Sequence, residues 1–344
     1  MPAWLQIAIS DPWSVLYAHG WVASVVAVLV ILAMRVRAGG RDSNVDAVSM
    51  RDRIVFLLLA IGAVLVFLAQ ELVRDLAATM FVNPDWTTNF IWWRYVGPPA
   101  ALILPLILAA VVLRRARRDV EVRVPPTAAR DWSTFSSRSS LWCASVALGT
   151  LASVSILAGM QSSQAVDGAF RLLRTRGYEI YGDSRALQEE GMDYFGWSYS
   201  APVLVITGLA VVAVWFVLRE NALRPYRRPE TAAGEAQVRS ALASSATLLL
   251  TGGVLLTTAI ALRDIGNAGL PWGFMSTESI ESIPIGGEFE ALSRVLLALA
   301  ALVRPVGLTL VLLGGTVWWL PSLIARRGLY TGHGAARSVT EVGQ

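Results

Sequence analysis

Residues 90–113 read FIWWRYVGPPAALILPLILAAVVL. The part from 95 to 113 carries no charged side chain and is close to the roughly 20 residues that a helix needs to cross a bilayer. Four more uncharged runs of similar length lie at 54–70, 141–160, 201–218 and 240–262. Because a chain inside a bilayer must satisfy its own backbone hydrogen bonds, these runs predict an all-α, multi-pass integral membrane protein.

The composition agrees with this class and narrows the chemistry. Hydrophobic residues make up 55% of the 344 residues and charged residues only 16%, whereas a soluble chain carries about a quarter charged residues. All 29 basic side chains are arginine, so no lysine is present to form a Schiff base or to serve a P-loop. Cys143 is the only cysteine, and of the two histidines only His19 lies in a predicted span. We therefore expect no cofactor and no metal ion.

Seven spans are predicted, at 13–34, 54–74, 95–113, 140–161, 200–218, 240–262 and 303–325. Of the 29 arginines, 20 lie on one side of these spans and 9 on the other. The arginine-rich side consists of 35–53, 114–139, 219–239 and the tail 326–344. Arginine accumulates on the cytoplasmic side of membrane proteins. We therefore expect a single transmembrane domain over 1–344 in the plasma (cytoplasmic) membrane, with the N-terminus outside and the C-terminus in the cytoplasm.

The longer connections, 161–200 and 263–302, lie on the outer side and predict an ordered outer cap. In the first, the apolar residues Val166, Phe170 and Leu173 predict a short helix that ends at Gly177. Residues 184–197 predict a second short helix at the membrane interface.

The second outer connection is acidic and contains Gly and Pro up to residue 290, which predicts mostly irregular structure. From 290 onward the chain is apolar for longer than one span requires. We expect an outer-surface helix over 290–302 that leads into a seventh span kinked at Pro305.

Charged residues gather where four predicted spans meet the outer boundary of the membrane. They are Glu71, Arg74, Asp75, Arg94, Arg263, Asp264 and Arg304. The first three share one helix face because they are three and four residues apart. Two interpretations stay open: headgroup anchors and ion pairs, or a polar vestibule whose arginines hold an anionic or zwitterionic ligand. The candidate ligand-binding residues are Glu71, Arg74, Asp75, Arg94, Arg304 and, in the outer half of the first span, His19.

Two short stretches, Trp93-Arg94-Tyr95 and PVGLTLVLL at 305–313, resemble segments of microbial rhodopsins, which also have seven spans and an outer N-terminus. Pro305 stands where that family has the retinal lysine, and Gly97 stands where it has the counterion carboxylate. The chain has no lysine at any other position. A light-driven function is therefore excluded.

The sequence contains no HExxH metal motif, no nucleophile elbow and no GxGxxG after a strand. We therefore expect a non-catalytic subunit or scaffold of a membrane complex, with a membrane-protein partner bound through the outer cap. One alternative is a small-solute transporter or ligand sensor that uses the outer charges. A third is an enzyme on a lipid-linked substrate, with Glu71 or Asp75 as base. Anionic lipid headgroups are expected at the arginine-rich cytoplasmic loops, and nucleic acid is not expected as a partner.

Overall fold

The computed structural model describes residues 21–22, 24–31, 48–80, 93–118, 130–165, 167–174, 192–227, 231–270, 273–276, 282–285 and 289–316. Six long helices are α1 (Met50–Met80), α2 (Trp93–Arg118), α3 (Arg138–Gln161), α4 (Trp197–Leu223), α5 (Ala232–Ala268) and α6 (Glu290–Thr316). Residues 21–22 and 24–31 are also helical. The short strands are β1 (Ser163–Gln164), β2 (Phe170–Leu173), β3 (Met192–Asp193), β4 (Gly273–Ser276) and β5 (Ser282–Ile285).

Each of the six long helices is long and apolar enough to cross a membrane. This confirms the predicted all-α class and the multi-pass membrane character. The five uncharged runs of the sequence fall inside α1 to α5, one run in each helix. Of the predicted first span, 13–34, only residues 21–22 and 24–31 are described, and the others lie outside the described residues.

Helix α5 is the centre of the bundle, because it contacts each of the other five long helices. Leu242, Leu249 and Leu256 on this helix are completely buried. Four threonine hydroxyls between residues 247 and 258 donate to the carbonyl oxygen one turn earlier, at 2.8 to 3.1 Å. Each of these buried hydroxyls is thus satisfied within its own helix, which makes a polar residue tolerable inside an apolar bundle.

Glycines let α5 and α6 approach closely as an antiparallel pair. A Cβ atom added at Gly252 would lie 2.7 Å from the carbonyl oxygen of Gly307 and 2.7 Å from Cγ2 of Val311. A Cβ atom added at Gly314 would lie 3.0 Å from the carbonyl oxygen of Ser245. Small residues at a helix crossing bring the backbones into contact, which is how helices associate where lipid offers no hydrophobic driving force.

Helix α6 differs from the prediction of an outer-surface helix followed by a span at 303–325. It runs without interruption from Glu290 through Pro305 to Thr316, and residues 317–325 of the predicted span lie outside the described residues. The carbonyl oxygen of Pro305 accepts hydrogen bonds from Thr309 Oγ1 at 2.7 Å and from Ser24 Oγ at 2.9 Å. The carbonyl oxygen that Pro305 leaves without its N–H partner is that of Ala301, and the helix continues past this one missing bond.

The predicted helix over 166–177 is wrong for residues 170–173, which form strand β2. This strand pairs antiparallel with β1 on one side and with β3 on the other. The turn before it places Gly168 at φ +81°, where its N–H donates to the carbonyl oxygen of Ala165 at 2.9 Å. A turn of that hand starts a hairpin rather than a helix, and β3 supplies a partner strand from a distant part of the sequence.

The second long connection is also more regular than predicted. Helix α5 continues to Ala268, and β4 and β5 form an antiparallel hairpin with Gly273 opposite Ile285. The predicted interfacial helix over 184–197 is wrong at its end, where β3 is followed by extended chain and then by α4 at Trp197. Residues 184–191 lie outside the described residues.

Candidate functional site

The strongest described concentration of paired charges lies where α2 begins and α5 ends. Arg94, in the first turn of α2, donates from Nη2 to Oδ2 of Asp264 at 3.0 Å. The same nitrogen lies 3.4 Å from Oδ2 of Asp193 in β3 and also contacts the hydroxyl of Tyr95. The Tyr95 hydroxyl in turn donates to Asp264. One arginine therefore joins two helices and a strand.

The charges continue from Asp193 along the sheet. Arg171 in β2 lies 3.4 Å from Oδ1 of Asp193 and 3.2 Å from Oδ2 of Asp167. The hydroxyl of Tyr199, in the first turn of α4, is 3.0 Å from both carboxylate oxygens of Asp193. We call this group the Arg94 cluster. Its members are Arg94, Tyr95, Asp167, Arg171, Asp193, Tyr199 and Asp264.

Signs alternate along the Arg94 cluster in the order Asp264, Arg94, Asp193, Arg171 and Asp167. Three carboxylates and two guanidinium groups leave a formal charge of −1 when all five are ionised. Each guanidinium lies between two carboxylates of the same chain. The cluster is therefore close to internal neutrality and has no surplus of positive charge for an added anion.

Aromatic rings support the cluster from the bundle side. Tyr95 and Phe195 are completely buried, with ring centroids 4.9 Å apart, and the Tyr95 and Tyr199 centroids are 4.8 Å apart. The guanidinium carbon of Arg94 lies 4.6 Å from the centroid of the Tyr95 ring. Such stacking fixes the guanidinium plane and adds a cation–π attraction of about 0.5–1 kcal/mol at a partly exposed site.

The two aspartates of the sheet region titrate in opposite directions. Partial burial raises the pKa of Asp193, because it disfavours the carboxylate more than the neighbouring arginines and the Tyr199 hydroxyl favour it. The pKa of Asp167 is lowered, first of all because its carboxylate accepts a hydrogen bond from the backbone N–H of Ala169 at 3.0 Å. Asp193 therefore retains a proton to a higher pH than Asp167 does.

Only one of the predicted ligand-binding residues is described as part of this cluster. Arg94 lies there, together with Asp264, which the sequence had placed at the same boundary. The side chains of Glu71, Arg74 and Asp75 lie outside the described residues, although the backbone of α1 is helical through Met80. His19 also lies outside the described residues.

Arg304 was predicted to begin a span at the outer boundary, whereas in the structure it lies inside a continuous helix. It is 14 residues into α6, roughly 21 Å from Glu290 at 1.5 Å per residue. Its side chain is completely buried. One turn further along, Gly307 contacts Gly252, which lies about midway between Arg239 and Asp264 on α5. The prediction failed because an arginine followed by proline is typical of a helix start, whereas here the helix begins at Glu290.

The sequence reasoning missed Tyr95, Asp167, Arg171, Asp193 and Tyr199 as members of the site. A signal was present for Tyr95 and Tyr199, because α2 opens with Trp93-Arg94-Tyr95 and α4 opens with the similar Trp197-Ser198-Tyr199. Arg171 meets Asp193 because β2 pairs with β3, which no local pattern indicates, and Asp167 joins through its contact with Arg171 four residues later.

No family model, no curated protein and no solved structure matches the chain. Its function is therefore inferred from the arrangement of its side chains alone.

Proposed function

We propose that the protein is a non-catalytic integral membrane protein, a subunit or scaffold of a membrane complex, with an outward-facing polar surface that binds a protein partner. The observation that supports this is the internal pairing of the Arg94 cluster. Both of its arginines are held by aspartates of the same chain, at 3.0 to 3.4 Å. Because each guanidinium already lies between two carboxylates, the cluster offers an anionic ligand no surplus of positive charge.

The proposed arrangement has seven spans, with the N-terminus outside and the C-terminus in the cytoplasm of a plasma-membrane protein. The excess of arginine in the segments 35–53, 114–139, 219–239 and 326–344 supports this orientation. In that arrangement the Arg94 cluster, the three-stranded sheet and the β4–β5 hairpin form the outer cap.

The three-stranded sheet is the proposed partner surface. The cluster fastens it to the bundle, since Asp193 of β3 contacts Arg94 of α2 and Tyr199 of α4. Phe170 at the start of β2 is 45% exposed. A rigid sheet that presents an aromatic side chain is suited to anchoring a partner, because aromatic residues carry much of the binding energy at protein interfaces.

Site-specific photo-crosslinking in native membranes tests this proposal. p-Benzoylphenylalanine would replace Phe170 in one variant and Val146 in a matched control, because Val146 is also exposed, at 62%, but lies inside the span of α3. We expect one protein, in a defined ratio, to be joined at position 170 and only lipid to be joined at 146. If both positions capture the same mixture of abundant membrane proteins, the proposed partner surface is rejected.

A transporter or ligand sensor is the second candidate, and the position of Arg304 is the observation that favours it. An ionisable residue that is completely buried inside a membrane helix, one turn from the contact of Gly307 with Gly252, is uncommon outside functional sites. If this function holds, a small anionic molecule should co-purify with the native chain and be lost in Arg304→Gln. Identical small-molecule extracts from both proteins would reject it.

A further inference from the structure

A second polar site lies at the end of the bundle opposite the Arg94 cluster. There α1 and α5 begin and α2 and α4 end, and the described residues enclose a cavity of about 480 Å³. We call it the Arg227 pocket. It is lined by Ser49, Met50, Arg51, Asp52, Ala116, Arg224, Pro225, Arg227, Glu235, Val238 and Arg239.

The first wall of the Arg227 pocket is a capped helix start. The backbone N–H of Asp52 donates to Ser49 Oγ at 3.1 Å, and the backbone N–H of Ser49 donates to Asp52 Oδ2 at 3.1 Å. This reciprocal pair is a capping box, which fixes the first turn of α1. Asp52 is 3% exposed and also accepts a hydrogen bond from Nη1 of Arg224 at 2.6 Å.

The second wall is held by Arg239, which is 2% exposed. Its Nη1 donates to the carbonyl oxygen of Arg224 at 2.6 Å, and its Nη2 donates to the carbonyl oxygen of Pro225 at 2.8 Å. Oε2 of Glu235 is further away, at 3.4 Å from Nη2. The Tyr226 ring centroid lies 4.4 Å from its guanidinium carbon. Carbonyl oxygens orient a guanidinium but do not cancel its charge, so Arg239 keeps the pocket positive.

The pocket has more positive than negative charge. Besides Arg51, three arginines (224, 227 and 239) face two carboxylates (52 and 235), which leaves a formal surplus of +1. The start of α1 adds positive potential from its backbone N–H groups. This balance is the reverse of that in the Arg94 cluster.

One of these arginines has donors available. The side chain of Arg227 is 46% exposed, and its contact with Oδ2 of Asp52 is long, at 4.0 Å. Arg224 is 7% exposed, and its Nη1 and Nη2 already donate to Asp52 at 2.6 Å and to Asn221 at 3.1 Å, so it contributes charge to the pocket rather than a free donor.

We propose that the Arg227 pocket binds a phosphate-bearing anion, either the headgroup of an anionic phospholipid or a phosphate free in solution. A cavity of this size admits a phosphate with its glycerol or sugar substituent. The surplus charge matches a phosphate group, and the fork of donors on Arg227 suits paired hydrogen bonds to its oxygens. This site is independent of the proposed partner surface at the Arg94 end.

The test uses the full chain in nanodiscs and follows thermal unfolding by the fluorescence of its 13 tryptophans. Nanodiscs of phosphatidylcholine with and without phosphatidylglycerol report on the lipid headgroup. Inorganic phosphate titrated into phosphatidylcholine nanodiscs, against chloride of equal ionic strength, reports on the soluble source. A ligand that binds the folded chain raises the midpoint of unfolding.

The variants are Arg227→Gln, Arg227→Lys and the control Arg53→Gln. Arg53 is exposed, lies next to Asp52 in the first turn of α1, and does not line the pocket. Its replacement by Gln changes the net charge of the chain by the same amount as the replacement of Arg227. We expect Arg227→Gln to weaken binding by about tenfold or more, because one charge-assisted hydrogen bond is lost, and Arg227→Lys to weaken it less. Arg53→Gln should bind like the native chain.

The possible outcomes distinguish the two sources of the phosphate group. A response to phosphatidylglycerol alone that depends on Arg227 identifies a lipid headgroup, and a response to inorganic phosphate identifies the soluble source. Both support the pocket. If neither probe stabilises the native chain, or if Arg53→Gln loses as much as Arg227→Gln, binding is non-specific surface attraction or absent, and the proposal is overturned.

Discussion

The ion pair between Arg94 and Asp264 should stabilise the fold more than the shorter pair between Arg294 and Glu290. The first pair is 3.0 Å long with side chains 27% and 23% exposed, and the second is 2.6 Å long with side chains 70% and 43% exposed. Water screens the second pair, so proximity alone does not decide which pair is stronger. If distance alone set the strength of the two ion pairs, the Arg294–Glu290 pair would be the stronger one.

The magnitude follows from the environment of each pair. Two unit charges about 4 Å apart attract by about 4 kcal/mol at the dielectric constant typical near a protein surface. Desolvation of both groups, and the sharing of Arg94 with Asp193, reduce the expected coupling free energy to about 1–3 kcal/mol. The exposed pair on one helix turn should give about 0.3–0.5 kcal/mol.

Double-mutant cycles measure both couplings. One cycle combines Arg94→Gln with Asp264→Asn, and the other combines Arg294→Gln with Glu290→Gln. Each set would be unfolded reversibly in detergent with tryptophan fluorescence as the signal, at low and at high salt. The Arg94 coupling should persist at high salt and the Arg294 coupling should vanish. Equal couplings, or a loss of both with salt, would refute a structural role for Arg94.

The remaining predictions concern packing and pH. Gly252→Ala should lower the free energy of unfolding by about 1–3 kcal/mol relative to Gly208→Ala. A Cβ atom at 252 would lie 2.7 Å from backbone, whereas a Cβ atom at 208 would have nothing within 4 Å. Thermal unfolding of the two variants checks this, and equal midpoints would contradict the close contact of α5 and α6. Asp193→Asn and Asp167→Asn should change the pH dependence of stability in opposite ways. The raised pKa of Asp193 gives stability that is complete below the ordinary carboxyl pKa and is lost as pH rises through the raised value. The lowered pKa of Asp167 gives stability that is present above the ordinary value and is lost as pH falls. Unfolding midpoints of the two variants and the native chain, measured from pH 3 to 8, test this prediction. Parallel pH profiles for the two variants would contradict the opposite pKa shifts of Asp193 and Asp167.

The long helices were predictable because each contains a long uncharged run that is continuous in the sequence. An uncharged run such as 141–160 can only be a span, and α3 extends just a few residues beyond it. Arg94 and Asp264 were also predictable as neighbours, since both stand where an uncharged run meets a polar connection. That boundary fixes their depth before any tertiary contact is known.

The other features depend on contacts that the sequence does not encode locally. Pro305 indicates a break, but the helix continues to Thr316 although Pro305 has no N–H to donate to the carbonyl oxygen of Ala301. This continuation moves Arg304 from the boundary to the interior. Strand β2 exists because β3 pairs with it, and Asp193 reaches Arg94 only through that pairing. The Arg227 pocket likewise combines ends of four helices that are far apart in the sequence.

The most direct test of the central claim is to purify the tagged chain from its native membrane in nanodiscs and to identify everything that co-elutes by mass spectrometry. The proposed scaffold role predicts one protein partner in a fixed ratio, retained by the native chain and by the exposed-face variant Arg294→Gln. A monomer or homo-oligomer that carries only lipid or a small molecule would contradict it.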